Sequence, residues 1–244
     1  MAQAKVADFA ATLEQHATLM QLAYGGLDGA DLLRAALSSE LAGATALVSS
    51  FGADSGVLLR MVAEVAPATP VIFLDTGMHF GQTRGYGAAL AKELGLTDVR
   101  IQTPDQGDLA QGDPNDTLWQ RDTGACCHLR KVLPLARALE GFDSWITGRR
   151  RHQLGERVDM PAIEADATHI KLNPLAGWSQ ADIDAYYAAH AIERHPLYEQ
   201  GYPSIGCWPC TKSVETGGDA RAGRWKGDDK TECGIHMPGF DPSI

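Results

Sequence analysis

Two adjacent cysteines, Cys126 and Cys127, follow Gly124-Ala125 and stand just before the cations Arg130 and Lys131. Apolar residues recur at helical spacing from Leu129 to Leu139. The pair is therefore expected at or near a helix N-terminus, where backbone N–H groups and the dipole favour thiolate over thiol. Far downstream, Cys207-Trp208-Pro209-Cys210 forms a C-x-x-C, and Cys233 stands alone in Glu232-Cys233-Gly234-Ile235-His236. Two pairs and one separate thiol are the pattern of a metal site plus a nucleophile. A C-x-x-C by itself serves zinc, a redox dithiol or an iron–sulfur centre. Zinc ligands usually come as spaced pairs, which directly adjacent cysteines are not. All-thiolate ligation also suits a [4Fe-4S] cluster. The spacing favours a metal or cluster over structural cysteine pairs and leaves zinc and iron–sulfur both open.

The elements that must position these thiols read as α/β. Residues 1–43 are helical, rich in Ala, Leu, Glu and Gln and interrupted at Gly25-Gly26. Ala44 to Ser49 is a short apolar strand, followed by Ser50-Phe51-Gly52-Ala53-Asp54-Ser55 and a helix over Val57 to Val65. Strand, small-residue turn and helix is the geometry of an anion-binding loop, although it matches neither the P-loop nor the dinucleotide glycine pattern. Val71 to Leu74 is a second buried strand ending in Asp75-Thr76-Gly77, then comes a helix over Gln82 to Leu94 and a strand over Asp98 to Thr103. Thr103 to Gly124 reads as a polar connection. A helix from Cys127 to Glu140 leads to a strand, Ser144 to Thr147, that ends in Gly148-Arg149-Arg150-Arg151. Leu154 to Asp166 lacks periodicity and is expected to be a mobile loop. His169 to Leu172 is a further strand, and Ser179 caps a helix running to His190, with Asp182 completing a capping box. Strands separated by helices predict an open, mostly parallel twisted sheet with helices on both faces. Ligands of such sheets bind at the carboxyl ends of strands. Thr211 to Lys230 is polar and glycine-rich, so the division is a helical segment (1–43), an α/β domain (44–210) and a flexible tail (211–244).

The chain has 244 residues, 44% of them hydrophobic, and a formal net charge of -10. That charge argues against bulk attraction to nucleic acid. Local cations such as Arg149-Arg150-Arg151 fit a small anionic ligand better than a polyanion, while any single Arg is as well explained by solvated surface charge. No apolar run approaches the ~20 residues of a membrane span, and the N-terminus does not read as a signal peptide. A cytoplasmic address is expected, where structural disulfides are uncommon.

Taken in order, Ser50 to Ser55, Leu74-Asp75-Thr76-Gly77, Cys126-Cys127, Cys207-x-x-Cys210, Arg221-x-Gly-Arg224-Trp225 and Glu232-Cys233-Gly234-Ile235-His236 resemble the assimilatory adenylyl-sulfate (APS) reductases, relatives of the phosphoadenylyl-sulfate (PAPS) reductases. The resemblance spans roughly residues 44–237, and the two cysteine pairs are what mark the APS branch. It implies an adenine-nucleotide α-hydrolase-like sheet with a modified PP-loop. It implies a [4Fe-4S] cluster on Cys126, Cys127, Cys207 and Cys210, and Cys233 as the nucleophile that forms a thiosulfonate. Thioredoxin, or glutaredoxin, is the implied reductant, and a homo-oligomer is compatible with the sequence. Lys131 and His236 join Cys233 as expected catalytic residues. Ser50, Phe51, Gly52, Asp54, Ser55, Asp75, Thr76, Gly77, Arg149, Arg150, Arg157, Arg221 and Arg224 are the expected substrate contacts. Glu232, an acid beside the thiol, is expected to oppose thiolate formation. Two positions depart from the related patterns: Phe51 stands where ATP-cleaving PP-loop enzymes have Gly, and Asp54 where Glu is more usual. The competing readings are a PAPS or dual-specificity reductase, a cluster-containing PP-loop enzyme that thiolates tRNA, and a non-catalytic zinc- or iron-binding regulator.

Overall fold

The computed structural model describes residues 2–153, 157–215, 217–225, 230 and 232–236, with side chains described from residue 12 onward. Its apolar runs form β1 (Thr45–Ser49), β2 (Val71–Leu74), β3 (Val99–Gln102), β4 (Ser144–Ile146), β5 (Ile163–Ala165) and β6 (Ile170–Leu172). These pair in the order β3-β2-β1-β4-β6-β5. All pairings are parallel except β5 on β6.

β1 shows why the sheet is covered on both sides. Leu47 packs with Val57, Leu59, Val62 and Leu172, whereas Ala46 packs with Leu135, Leu139 and Trp145 on the opposite face. The first face carries α1 (Ala2–Tyr24), α2 (Gly29–Leu37), α3 (Ser55–Val65), α4 (Gly81–Glu93) and α8 (Gln180–His190). The second carries α7 (Leu133–Ala138). The chain runs outward through β1, β2 and β3, then returns to β4 on the far side of β1. The crevice between the carboxyl ends of β1 and β4 is thus the switch point at which such sheets bind ligands.

The expected Cys127–Glu140 helix is present in three parts: α6 (Thr123–Cys127), a π-turn (His128–Val132) and α7. Asp122 caps it, its carboxylate accepting from the Ala125 N–H at 2.8 Å. Pro134 accounts for the widened turn, since it has no N–H to return to Arg130 and its ring crowds that carbonyl. The Ser179–Asp182 capping box of α8 is formed on both sides.

Three stretches differ from their sequence reading. The segment expected to be a mobile loop contains β5, which forms a hairpin with β6 and takes a hydrogen bond from its Ile163 N–H to Gln21 of α1 (2.7 Å). Three residues are too few to show an alternation. The polar connection at 103–124 holds α5 (Gln106–Gly112), capped by Asp105, and a 3-10 turn (Leu118–Gln120). α5 buries no residue, so there was no periodicity to read. Where a flexible tail is expected, the described residues fold back on the domain. Lys212 N–H bonds Gly223 O (2.8 Å), Trp225 N–H bonds Cys210 O (3.1 Å), and Trp225 is buried. A side chain at Gly223 would meet Lys212 O at 2.1 Å, so this return requires glycine. The tail positions 216, 226–229, 231 and 237–244 lie outside the described residues.

His195 joins the chain after α8 to α4 without contacting solvent: Nδ1 accepts from the Leu197 N–H (3.1 Å), and Nε2 faces Thr83 Oγ1 at 3.0 Å. Burial pushes its pKa down to about 4. The unfolded chain, with a histidine near ~6.5, takes up the proton first as pH falls. Stability is then complete above ~6.5 and declines toward pH ~4, by at most roughly 1.4 kcal/mol per pH unit. Urea unfolding between pH 7.5 and 4.5 should show this decline, and His195→Gln should flatten it; an unchanged slope would assign the decline to other groups.

Candidate active site

A cavity of about 450 Å³ opens at the switch point, within the size range of small-ligand pockets. One wall is the turn after β1. Ser50, Gly52, Ala53, Asp54 and Ser55 line it, and α3 begins there with its N-terminus at the cavity. The turn is fixed from outside by Tyr187, whose hydroxyl accepts from Gly56 N–H (3.0 Å) and donates to Ala53 O (2.9 Å). Phe51 is the exception. With φ at +46° its side chain turns into the core, edge-on to Phe73 at 5.3 Å and against Gly87, and it is not in the cavity lining.

The second wall follows β4. Arg149 pairs with Glu164 and bonds Asn173 Oδ1 (3.3 Å). Arg150 reaches across to Asp54 at 2.5 Å and to Gln180. Arg157 makes a two-point contact with Glu232, at 2.5 and 2.8 Å, and also holds Gln153. Burial lowers the pKa of Arg149 and Arg150, the neighbouring carboxylates opposing that shift.

The tail closes the cavity. Arg221, Arg224, Trp225, Glu232, Cys233, Ile235 and His236 all line it. Arg224 lies over the Trp225 ring at 4.5 Å, and its Nε is buried with no hydrogen-bond partner among the described residues. A Cβ at Gly206 would come within 2.4 Å of this guanidinium, so the glycine before Cys207 makes room for it. Arg221 is pushed down to about 10 by burial and by Arg157. His236 stacks on Trp145, rings 5.5 Å apart and 7° from parallel. Burial, reinforced by the surrounding arginines, holds its imidazole neutral. Ile235 packs against the cluster of Ala46, Val132 and Trp145.

Cys233 sits beside Cys127, Lys131 and Arg224. Its thiol is held well below the usual range, first by hydrogen bonding from the Cys127 thiol, with burial opposing and Lys131 and Arg224 assisting. Cys127 is correspondingly raised, so the pair carries its charge on Cys233. Lys131 is raised too: burial opposes its charge, and Cys207, Cys233 and Cys127 more than offset that cost. Glu232 does not face the thiol as an unpaired acid. Its carboxylate is taken by Arg157, lies 3.8 Å from Arg221, and accepts the Cys233 backbone N–H at 2.8 Å.

The other cysteines lie behind this wall. Cys126 and Cys207 pack with Met78, and Cys207 Sγ is 3.2 Å from Thr76 Oγ1. An antiparallel bridge of His79 with Cys207 ties the C-x-x-C to the end of β2. Asp75, Thr76 and Gly77 therefore lie outside the cavity lining. Asp75 bonds Gly77 N–H and Arg84, and Thr76 serves the cysteine side. No three metal-ligating side chains among the described residues converge on one ion. The donor set nevertheless suits a soft-metal centre: four thiols from two short segments, with Met78 packed against Cys126 and Cys207. Burial pushes Cys126 up to about 11 and raises Cys210, a cost that a bound cationic centre removes.

The lining includes residues that the sequence did not single out: His79, Trp145, Thr147, Gln180 and Ser204. Most are strand ends or polar residues on helices with no local pattern. Gly206, one residue before the C-x-x-C, is the one signal that was available.

A parallel sheet with a cation-lined crevice at its switch point and a thiol in the crevice defines an α/β protein built for an anionic, nucleotide-sized ligand. A phosphoadenosine phosphosulfate reductase domain is matched over residues 44–213. The chain is 48% identical to the adenosine 5'-phosphosulfate reductase of Mesorhizobium japonicum over 221 residues, 91% of this chain and 87% of that one. It is 51% identical to the enzyme of the same name from Chelativorans sp. over 199 residues, 82% of this chain and 81% of that one. A crystal structure of PAPS reductase from Candida auris in a phosphate complex superposes with a TM-score of 0.67 at 28% identity, covering 82% of this chain and 97% of that one. Yeast FAD synthetase, at 16% identity and a TM-score of 0.52 over 84% and 76% of the two chains, shares the fold. The chain belongs to the phosphoadenosine phosphosulfate reductase family, on an adenine-nucleotide α-hydrolase-like sheet.

The Arg157–Glu232 pair is a polar link between tail and domain in which both side chains are buried. Glu232→Gln leaves Arg157 charged and underpaired, at a cost of about 2–5 kcal/mol to docking. Hydrogen exchange across Trp225 to His236 should accelerate, while β1 and β4 keep their protection. Unchanged exchange in the tail would show that stacking on Trp145 suffices to hold it.

Proposed function

We propose that the chain reduces adenylyl sulfate to sulfite and AMP, with Cys233 as the nucleophile. The observation that carries this reading is the convergence of the Cys233 thiol with Lys131, Arg221, Arg224 and His236 on one side of a nucleotide-sized cavity. The Cys233 thiolate attacks the substrate's sulfur. The bond from sulfur to the bridging phosphate oxygen breaks, and AMP leaves with that electron pair. Negative charge grows on the departing phosphate oxygen, where Lys131 and Arg224 lower the barrier. Neutral His236 donates an N–H to a sulfate oxygen. The nucleotide's phosphate takes the Ser50–Ser55 turn and the α3 N-terminus, with Arg149, Arg150 and Arg157 holding that wall.

The product of this step is a Cys233 thiosulfonate. A dithiol reductant of the thioredoxin class attacks the Cys233 sulfur, sulfite leaves, and the second thiol resolves the mixed disulfide. This requires the 211–244 tail to leave the 44–210 domain, because Cys233 faces inward when docked. Cys126, Cys127, Cys207 and Cys210 hold a [4Fe-4S] cluster in this reading, which supplies fixed charge and structural rigidity beside Lys131. A cytoplasmic address is part of this reading, since the five cysteines are needed as free thiols or ligands and structural disulfides are uncommon there. No described helix is long and apolar enough to cross a membrane. APS rather than PAPS is the substrate, in keeping with the names of the relatives.

Incubation with APS and no reductant should release one equivalent of AMP and add roughly 80 Da to the protein, the mass of SO3 on a covalent nucleophile. Reduced thioredoxin should then release sulfite and restore the mass. Cys233→Ser should bind APS and form no adduct. An adduct on another residue, or undiminished sulfite release by that variant, would overturn the assignment.

A further inference from the structure

The mechanism above makes no use of the best-buried ion pair outside the cavity. Arg130 donates to Asp113 Oδ2 from two nitrogens, at 2.8 and 3.2 Å, and both side chains are almost fully enclosed. The same guanidinium bonds Asp116 and donates to the Thr76 carbonyl at 3.0 Å. Each partner leads to the cysteines by a different route. Arg130 itself follows Cys126-Cys127 on one helix. Thr76 carries its hydroxyl 3.2 Å from Cys207 Sγ. Asp113 uses its other oxygen to accept the Thr117 and Leu118 N–H groups, at 2.8 and 2.9 Å, and so holds down the 3-10 turn Leu118–Gln120.

That turn carries Leu118 and Trp119, which pack on Met78, Cys126 and Cys207. Trp119 also meets Trp208 of the C-x-x-C edge to face, ring centroids 5.9 Å apart. Trp208 is half exposed, whereas Cys126 and Cys207 beneath are buried. A fork of three contacts on one buried arginine is a geometry that lysine cannot reproduce.

We infer that Arg130 is a positioning residue that sets the register of the cysteine-bearing segments through Thr76 and, through Asp113, clamps an aromatic cover of Trp119 and Trp208 over Cys126 and Cys207. The cover governs access of small electrophiles, oxidants and chelators to those two thiols, directly where they are free and through the rate of metal loss where they ligate one. It extends the proposed function by giving the 113–120 segment a role, yet its test does not depend on turnover.

The test is anaerobic alkylation of the full-length protein with iodoacetamide, read cysteine by cysteine by peptide mass spectrometry, with iron content measured in parallel. Trp119→Ala should raise the labelling rates of Cys126 and Cys207 by about tenfold, because opening of the cover becomes easier locally. The Cys233 rate, on the cavity side, should not change. Arg130→Met should reproduce this pattern and Arg130→Lys should restore it only in part. Unchanged Cys126 and Cys207 rates in both Trp119→Ala and Arg130→Met would overturn the inference. So would a parallel rise at Cys233, which signals general loosening. Iron-free wild-type protein would count against the cluster reading alone, since the labelling comparison still decides whether the cover exists.

Discussion

Cations repel, and this cavity gathers Lys131, Arg149, Arg150, Arg157, Arg221 and Arg224 around a single crevice. In water such crowding is cheap, but in a partly desolvated crevice the repulsion and the lost hydration both grow. The structure meets this with a carboxylate for each of the three arginines that follow β4: Glu164 for Arg149, Asp54 for Arg150 and Glu232 for Arg157. Arg224 and Lys131 have no carboxylate partner among the described residues; one stacks on Trp225 and the other lies among thiols. The uncompensated charge is therefore concentrated where Cys233 sits. An entering anion meets its strongest field beside Cys233 and a nearly neutral wall along β4.

This arrangement reverses the first impression of Glu232. Beside a nucleophilic cysteine an acid reads as a liability, since like charge raises a thiol pKa. Burial does oppose the Glu232 charge, yet Arg157 holds its pKa below the ordinary range. Its field is spent on the arginine, and its contact with the Cys233 N–H orients the tail backbone. The Cys233 end of the tail is thus docked by a buried ion pair and by the His236–Trp145 stack together. Both are side-chain contacts, a form of docking that can open without unfolding the sheet, while the earlier tail residues are held by backbone hydrogen bonds such as Trp225 N–H to Cys210 O.

Much of this was legible in the sequence because the relevant signals are local. The apolar runs of β1, β2, β4 and β6, the Ser179–Asp182 capping box and the grouping of the thiols each report on a few neighbouring residues. What stayed hidden depends on partners far along the chain. β5 exists because β6 and Gln21 satisfy its backbone. Phe51 belongs to a turn read as ligand-binding, and only its left-handed φ sends the ring into the core. Asp75, Thr76 and Gly77 end a strand as expected but face the cysteines and Arg84, because the cavity opens between β1 and β4 rather than beyond β2. Glycine content suggested a loose tail, whereas Gly223 is small for the opposite reason: the Lys212 carbonyl passes too close for a side chain.

The division of parts between sheet and tail follows from what each can do mechanically. Strand ends β1 and β4 are fixed by the ladder and by cores on both faces, so groups mounted there keep their spacing whether or not the cavity is filled. A segment outside the sheet has no such constraint, and in the proposed reaction that freedom is what lets Cys233 enter the crevice and later meet a protein-sized reductant. The cysteine-bearing helix stands between the two. Within its π-turn Arg130 points toward the outer cover and Lys131 toward the cavity. Successive helical side chains are rotated by about 100°, so neighbours on one short stretch hold the thiols from behind and charge the crevice in front.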